Sequence, residues 1–172
     1  MSQIKTTTNS VHTKPWLEPI GMLVVNFASI ELQTYLWLGD LSADKQLPFT
    51  ALKWPFKRRV KEVTSQLDRR VSNEQLKQRC NAAWVQALEI AKRRNAIVHN
   101  PIIFGWTSGK EDGPPDVIGV ADVSRLTVTP RLSERLASIA DVIDLANGTA
   151  RLAQNLVALR TDFAKLRESS IG

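Results

Sequence analysis

Residue types that do chemistry on their own are scarce in this chain. One cysteine, Cys80, and two histidines, His12 and His99, stand among 172 residues. A lone cysteine cannot close an internal disulfide, which fits a reducing compartment. Cys80 also falls on an apolar helical stripe and reads as core. No Cys/His cluster offers a zinc site. No Walker or dinucleotide glycine pattern is present, and no Gly-x-Ser-x-Gly elbow. The acids form no evident magnesium set. No cofactor is called for, and any hydrolysis is expected to be metal-independent. Internal repeats and low-complexity runs are also lacking.

One stretch, Ile20 to Leu38, is hydrophobic enough to raise the membrane question. It carries Asn26, Ser29, Glu31, Gln33 and Thr34, and a carboxylate near mid-bilayer is costly. It also lies behind Glu18, too far along for a usual signal peptide. The expectation is a buried helix in a soluble, cytoplasmic protein with no membrane partner.

What is there suits a folded domain. The apolar share is 43%, normal for a globular chain. Residues 1–15 are polar, Thr-rich and aperiodic, which predicts a flexible arm that includes His12. Residues 16–172 are expected to form a single domain. The net charge of +6 is uneven. Residues 53–94 hold twelve Lys or Arg and four acids, a net of +8, and the remainder eleven against thirteen, a net of −2. A basic concentration of this kind attracts polyanions; a solvated helix face is the plainer alternative.

Periodicity predicts four main helices. The first runs from about Glu18 to Leu41, with Ile20, Val24, Phe27, Ala28, Glu31, Tyr35 and Leu38 on one face. Ser42 to Pro48 reads as a loop. Pro55 opens the second helix, whose stripe is Phe56, Val60, Val63 and Leu67. Ser72 and Gln75 make a capping-box pattern for the third, with Val71 and Leu76 as a hydrophobic staple. Its stripe is Leu76, Cys80, Ala83, Trp84, Ala87, Ala91 and Val98, and it ends before Pro101. Ile102–Phe104, Val117–Val123 and Leu126–Val128 then read as short strands, with a Gly/Pro-rich loop between the first two. Thr129-Pro130 starts the last helix. Its stripe is displaced by one residue after Gly148, which predicts a kink or break. The fold class is therefore mainly all-α: an antiparallel four-helix bundle with a small β-hairpin or sheet insert at about 101–128.

The third helix ends in Arg93-Arg94-Asn95-Ala96-Ile97-Val98-His99-Asn100. Arg94 supplies a permanently charged, phosphate-gripping group. His99 supplies a proton carrier near neutral pH. Asn95 and His99 are four apart and share a ridge, so Asn95 can orient the imidazole. Arg94 lies about 140° round the helix from His99, toward the apolar stripe. One helix does not aim both at one phosphate, so either the arginine stem curls round or a second copy completes the site. The alternative is a pair of cations that simply favour a helix C-terminus.

Glu31 sits in the middle of the first helix's predicted stripe, where an unpaired carboxylate is costly. Arg94 is its natural partner; a backbone group or another chain is the alternative. Trp54, Phe56 and the run Lys57-Arg58-Arg59 mix rings with cations, as single-strand binders do, although core packing of the rings and solvent exposure of the charges is the plainer reading.

Arg94-Asn95-x-x-x-His99 resembles the motif of the HEPN superfamily, in which an Arg and a polar residue precede a His near a helix end. The likeness covers six residues strictly, and the helical layout more loosely. It implies a four-helix HEPN-like bundle and a homodimer that brings two motifs together. It implies a metal-independent endoribonuclease of single-stranded RNA, with Arg94 and His99 catalytic. Asn95 and Glu31 would position them, and Lys57, Arg58, Arg59 and Arg93 would form an RNA-binding face. Members of that superfamily are often toxins of toxin–antitoxin or antiphage systems, so the resemblance also implies a toxin role and a neutralising antitoxin protein. The strand insert departs from the simplest family pattern. Two rival readings are a non-catalytic RNA- or nucleotide-binding module and a structural dimerisation protein.

Overall fold

The computed structural model describes residues 10–99, 102–105, 115, 117–120 and 136–169, with side chains for 14–98, 115 and 137–169. It is predominantly helical. The elements are α1 (Ser10–Leu41), α2 (Leu47–Ala51), α3 (Phe56–Arg70), α4 (Glu74–His99), β1 (Ile102–Gly105), β2 (Val117–Val120), β3 (Leu136–Ser138) and α5 (Ile139–Ser169). No helix among the described residues is long and apolar enough to cross a membrane. The chain divides into two compact units, residues 1–24 with 92–147 and residues 25–91 with 148–172. Helices α1, α4 and α5 each contribute to both.

In the first unit, β1, β2 and β3 pair antiparallel in that order. Ile102 faces Val120, and Val117 faces both Gly105 and Ser138. The third strand differs from the predicted Leu126–Val128, which lies outside the described residues. Residues 136–138 were expected to be helical, and α5 instead starts at Ile139. A local device sets that start. Ser138 Oγ accepts from the Asp141 backbone N–H at 3.1 Å, while Asp141 Oδ2 accepts from the Ser138 N–H at 2.8 Å. This reciprocal cap satisfies two helix-end donors at once and holds the Asp141 carboxyl below its usual range. Trp16, wholly buried, donates its indole N–H to the Pro115 carbonyl at 3.1 Å. Leu23, Ile97, Val142 and Leu145 are buried in the same unit.

The second unit packs α3 and the larger parts of α1, α4 and α5 around Trp37, Leu38, Val63, Leu67, Trp84 and Leu156, all fully buried. Trp37 stacks on Phe163 with centroids 5.7 Å apart, and Phe27 meets Phe56 edge-on at 5.1 Å. A fully buried large apolar side chain contributes about 1.5–3 kcal/mol, and the rings and aliphatic side chains of this core contribute on the same scale. Arg160 clamps Asp40 through two hydrogen bonds of 2.5 and 3.4 Å, tying α5 to the end of α1.

Five local expectations are corrected. Helix α1 begins at Ser10, so residues 10–15 are not an arm. Its buried face runs through Trp16, Leu23, Phe27, Ile30, Trp37 and Leu41, and Ala28 is exposed. This face is turned by roughly one residue from the predicted one. Apolar residues are spread round helix α1, so spacing alone does not single out a face; the large rings choose it. Residues 47–51 form the short helix α2, which begins at the end of the expected loop with Pro48 in its first turn and runs on past it. Asn73, not Ser72, caps α4: its Oδ1 accepts the Leu76 N–H at 2.9 Å. Helix α5 passes Gly148 without a break. Thr149, wholly buried, carries the stripe between Leu145 and Leu152, and a polar letter at that place hid the continuity.

Candidate functional site

Helix α4 stays helical through the whole motif, to His99. Arg93, Arg94, Asn95 and His99 therefore occupy its last two turns, where the backbone places Asn95 and His99 on one ridge. Asn95 is exposed and Arg94 half-buried. Arg94 Nη1 donates to Asn95 Oδ1 at 3.0 Å. The amide expected to orient the histidine thus also receives the arginine. The His99 side chain lies outside the described residues. Arg93 is exposed, and its charge adds a minor downward push on the Asp141 carboxyl, after the two hydrogen bonds from Ser138.

Glu31 takes Arg59 as its partner within the chain, where the sequence pointed to Arg94. Arg59 Nη2 lies 2.8 Å from Glu31 Oε1. Its Nη1 donates to the Tyr35 hydroxyl at 2.5 Å and to the Trp54 carbonyl at 3.0 Å. The guanidinium lies over the Tyr35 ring at 4.6 Å, and the side chain is 6% exposed. The cause is helical phase. Arg59 stands three after Phe56 and four before Val63, on the inward ridge of α3. Because the buried face of α1 runs through Ile30 and Trp37, Glu31 flanks that face and does not sit at its centre. Its carboxylate stays 37% exposed while reaching the guanidinium.

Arg59 therefore leaves the expected RNA-binding set: it is buried, and its two terminal nitrogens bond inside the fold to Glu31, Tyr35 and the Trp54 carbonyl. Lys57 and Arg58 remain exposed, and Arg58 stacks on Trp54 with its guanidinium carbon 4.1 Å from the ring centre. Lys57 and Arg58 belong to the second unit, and Arg93 and Arg94 to the first. Among the described residues, no group of three His, Cys, Asp or Glu stands close enough to hold a metal ion. Cys80 is buried, and the loss of water around it pushes its thiol up to about 11. It is a protonated packing residue at neutral pH.

Sequence reasoning passed over two exposed apolar side chains beside the cations, Phe49 and Leu52, 66% and 60% exposed. They lie between the expected loop, which ends at Pro48, and the helix opened by Pro55, where periodicity defines no face. The signal available was an apolar pair that no periodic face had claimed.

Comparison of the chain with protein-family models, characterised proteins and solved structures finds no match.

Proposed function

We propose that this chain is a HEPN-like, metal-independent endoribonuclease acting on single-stranded RNA. The observation that carries the reading is the unbroken run of α4 to His99, with Arg94 hydrogen-bonded to Asn95 one turn earlier. On this reading Arg94 is the phosphate-binding cation, Asn95 the orienting amide and His99 the proton carrier, all three contributed by the last two turns of α4. In the reaction, the substrate 2′-hydroxyl attacks the adjacent phosphorus. The bond from phosphorus to the 5′-oxygen breaks, leaving a 2′,3′-cyclic phosphate and a 5′-hydroxyl. His99 moves the proton as general base or acid. Arg94 offsets the charge growing on the phosphoryl oxygens. Arg93, exposed on the same helix end, supplies positive charge toward the backbone, and Lys57 and Arg58 offer exposed charge of their own within the second unit.

The active form on this reading is a homodimer within a four-helix HEPN-like arrangement. Supporting it, Val25 and Leu32 are 66% and 53% exposed on α1, with exposed Ala28 between them. Between Val25 and Leu32 the single charged residue is Glu31, whose carboxylate is paired with Arg59. An apolar face of this kind suits contact between two copies of a basic chain. A neutralising antitoxin protein is the further partner that the reading implies.

The test is purified protein with single-stranded RNA in excess chelator, wild type beside His99→Ala. Cyclic-phosphate ends from wild type alone support the reading. Equal cleavage by both overturns the role of His99, and binding without cleavage favours a non-catalytic RNA-binding module.

A further inference from the structure

The whole net charge of this protein comes from one short segment. Residues 45–61 contain Lys45, Lys53, Lys57, Arg58, Arg59 and Lys61 and no acid. The other residues hold 17 Lys or Arg, from 23 less 6, against 17 Asp or Glu, and so sum to zero. Arg59 is neutralised by Glu31, which leaves five cations, all exposed.

The segment is well ordered locally. Leu52, Lys53 and Trp54 donate their backbone N–H groups to Phe49, Thr50 and Ala51, and Arg58 donates to Pro55. These successive turns join α2 to α3 and give Phe49 and Leu52, three apart, a common side. Lys57 and Lys61 share a ridge of α3 at a spacing of four. Trp54 is half-buried, and the Arg58 guanidinium lies on it. That guanidinium is a flat, charged plane backed by an aromatic ring, with N–H donors at its edge.

We infer that residues 45–61 form a binding surface for single-stranded nucleic acid, on which bases stack against Phe49 and the Trp54–Arg58 pair while Lys53, Lys57 and Lys61 follow the phosphates. Rings interleaved with cations along a segment that itself contains no acid are what sequence-tolerant strand binding needs. A lipid surface fits less well. Trp54 is covered by Arg58, and α2 spans only Leu47–Ala51, so two side chains alone project as apolar anchors. The inference shares with the proposed function the view that this protein handles RNA; it does not depend on cleavage.

The experiment measures binding of the full chain to fluorescein-labelled oligouridine RNA and oligothymidine DNA, across a salt series. The DNA strand lacks the 2′-hydroxyl, so it reads binding without cleavage. Wild type is expected to bind both strands. Phe49→Ala is expected to weaken binding about 5- to 100-fold at unchanged salt slope. Lys57→Ala is expected to lower the slope by about 0.7 for the phosphate contact removed. Phe49 and Lys57 are exposed, and an unchanged circular dichroism melt verifies folding of both variants. Wild-type binding that neither variant alters would overturn this surface and leave the RNA reading standing. Binding to neither strand would overturn both. Phe49-dependent binding to phosphatidylserine-containing vesicles without strand binding would overturn the nucleic-acid assignment in favour of a membrane. Strand binding through Phe49 without RNA cleavage would uphold this surface and sink only the nuclease reading.

Discussion

Arg59 and Glu31 are joined at 2.8 Å between α3 and α1, and the same guanidinium reaches Tyr35 and the Trp54 carbonyl. One side chain thus pins two helices and the turn that opens α3. Its position explains why a carboxylate is tolerated beside an apolar face, and it separates the buried member of the Lys57-Arg58-Arg59 run from the two that reach solvent.

The first expected outcome concerns this clasp. Arg59→Ala leaves Glu31 beside an apolar face and empties the space over Tyr35. Breaking a buried pair costs about 3–5 kcal/mol, and the partial exposure of Glu31 brings the expected loss nearer 2–4 kcal/mol. Glu31→Gln keeps one acceptor and is expected to cost about 1–2 kcal/mol. Urea unfolding of the two variants beside wild type checks the order. Arg59→Ala as stable as wild type would show that the clasp contributes nothing net.

Much of α3 was legible before any coordinates. Pro55 marks its start, and Val60, Val63 and Leu67 are buried as their spacing predicts. The background of that helix is so polar that one stripe stands out. The opposite holds in α1, where apolar residues are spread round the helix and spacing alone leaves several faces equivalent. The burial of Arg59 was readable from its phase with Phe56 and Val63, but a run of three cations invites a solvated reading. Pairing across a sheet is non-local, so β3 at Leu136–Ser138 left no mark that Thr129-Pro130 did not outweigh. At the candidate site, the helical context of Arg94 and Asn95 was legible, whereas the bond between them depends on rotamers that no spacing rule supplies.

Cys80 provides a chemical test of packing. Burial raises its thiol from 9.0 to about 11, with a smaller downward push from Arg79. At pH 8 the native protein is therefore expected to react with Ellman's reagent far more slowly than the urea-unfolded chain, because the thiolate is the nucleophile. The raised value also fixes a sign for stability. The contribution is fully present below about pH 9 and is lost as pH rises through about 11. Alkaline unfolding curves for wild type and Cys80→Ala are expected to converge over that window. Rapid labelling of the native thiol would contradict the buried placement.

The reciprocal cap of Ser138 and Asp141 has the opposite pH sign. Asp141 is held below 3.8, first by the Ser138 backbone N–H and then by the Ser138 hydroxyl. Its contribution is present above the ordinary carboxylate value and is lost as pH falls through the lowered one. Ser138→Ala is expected to cost about 1 kcal/mol at pH 7, with a smaller difference from wild type at pH 2.5. Paired urea titrations at the two pH values decide this. A difference that grows on acidification would rule out the cap as its source.

The last expectation joins the motif's geometry to its proposed chemistry. Asn95 Oδ1 holds Arg94 Nη1 at 3.0 Å, a neutral acceptor on a group proposed to grip a charged phosphate. A neutral partner orients the guanidinium while leaving its charge available to the substrate. Asn95→Ala removes the guide and is expected to lower kcat several-fold, through disorder of Arg94. Asn95→Asp keeps the guide but pairs the cation with a competing anion, and the negative charge also repels phosphate. Removing one charge-stabilising donor typically costs about 10²–10³ in kcat. Asn95→Asp is therefore expected to be the more damaging change and to approach the loss in Arg94→Lys, which keeps the charge but not the planar fork. Single-turnover cleavage of RNA in chelator, with binding measured separately, distinguishes the two effects. Were Asn95→Asp to cleave as well as Asn95→Ala, the bond to Arg94 would have no part in turnover, and Asn95 would be left with His99 alone as the group it can orient.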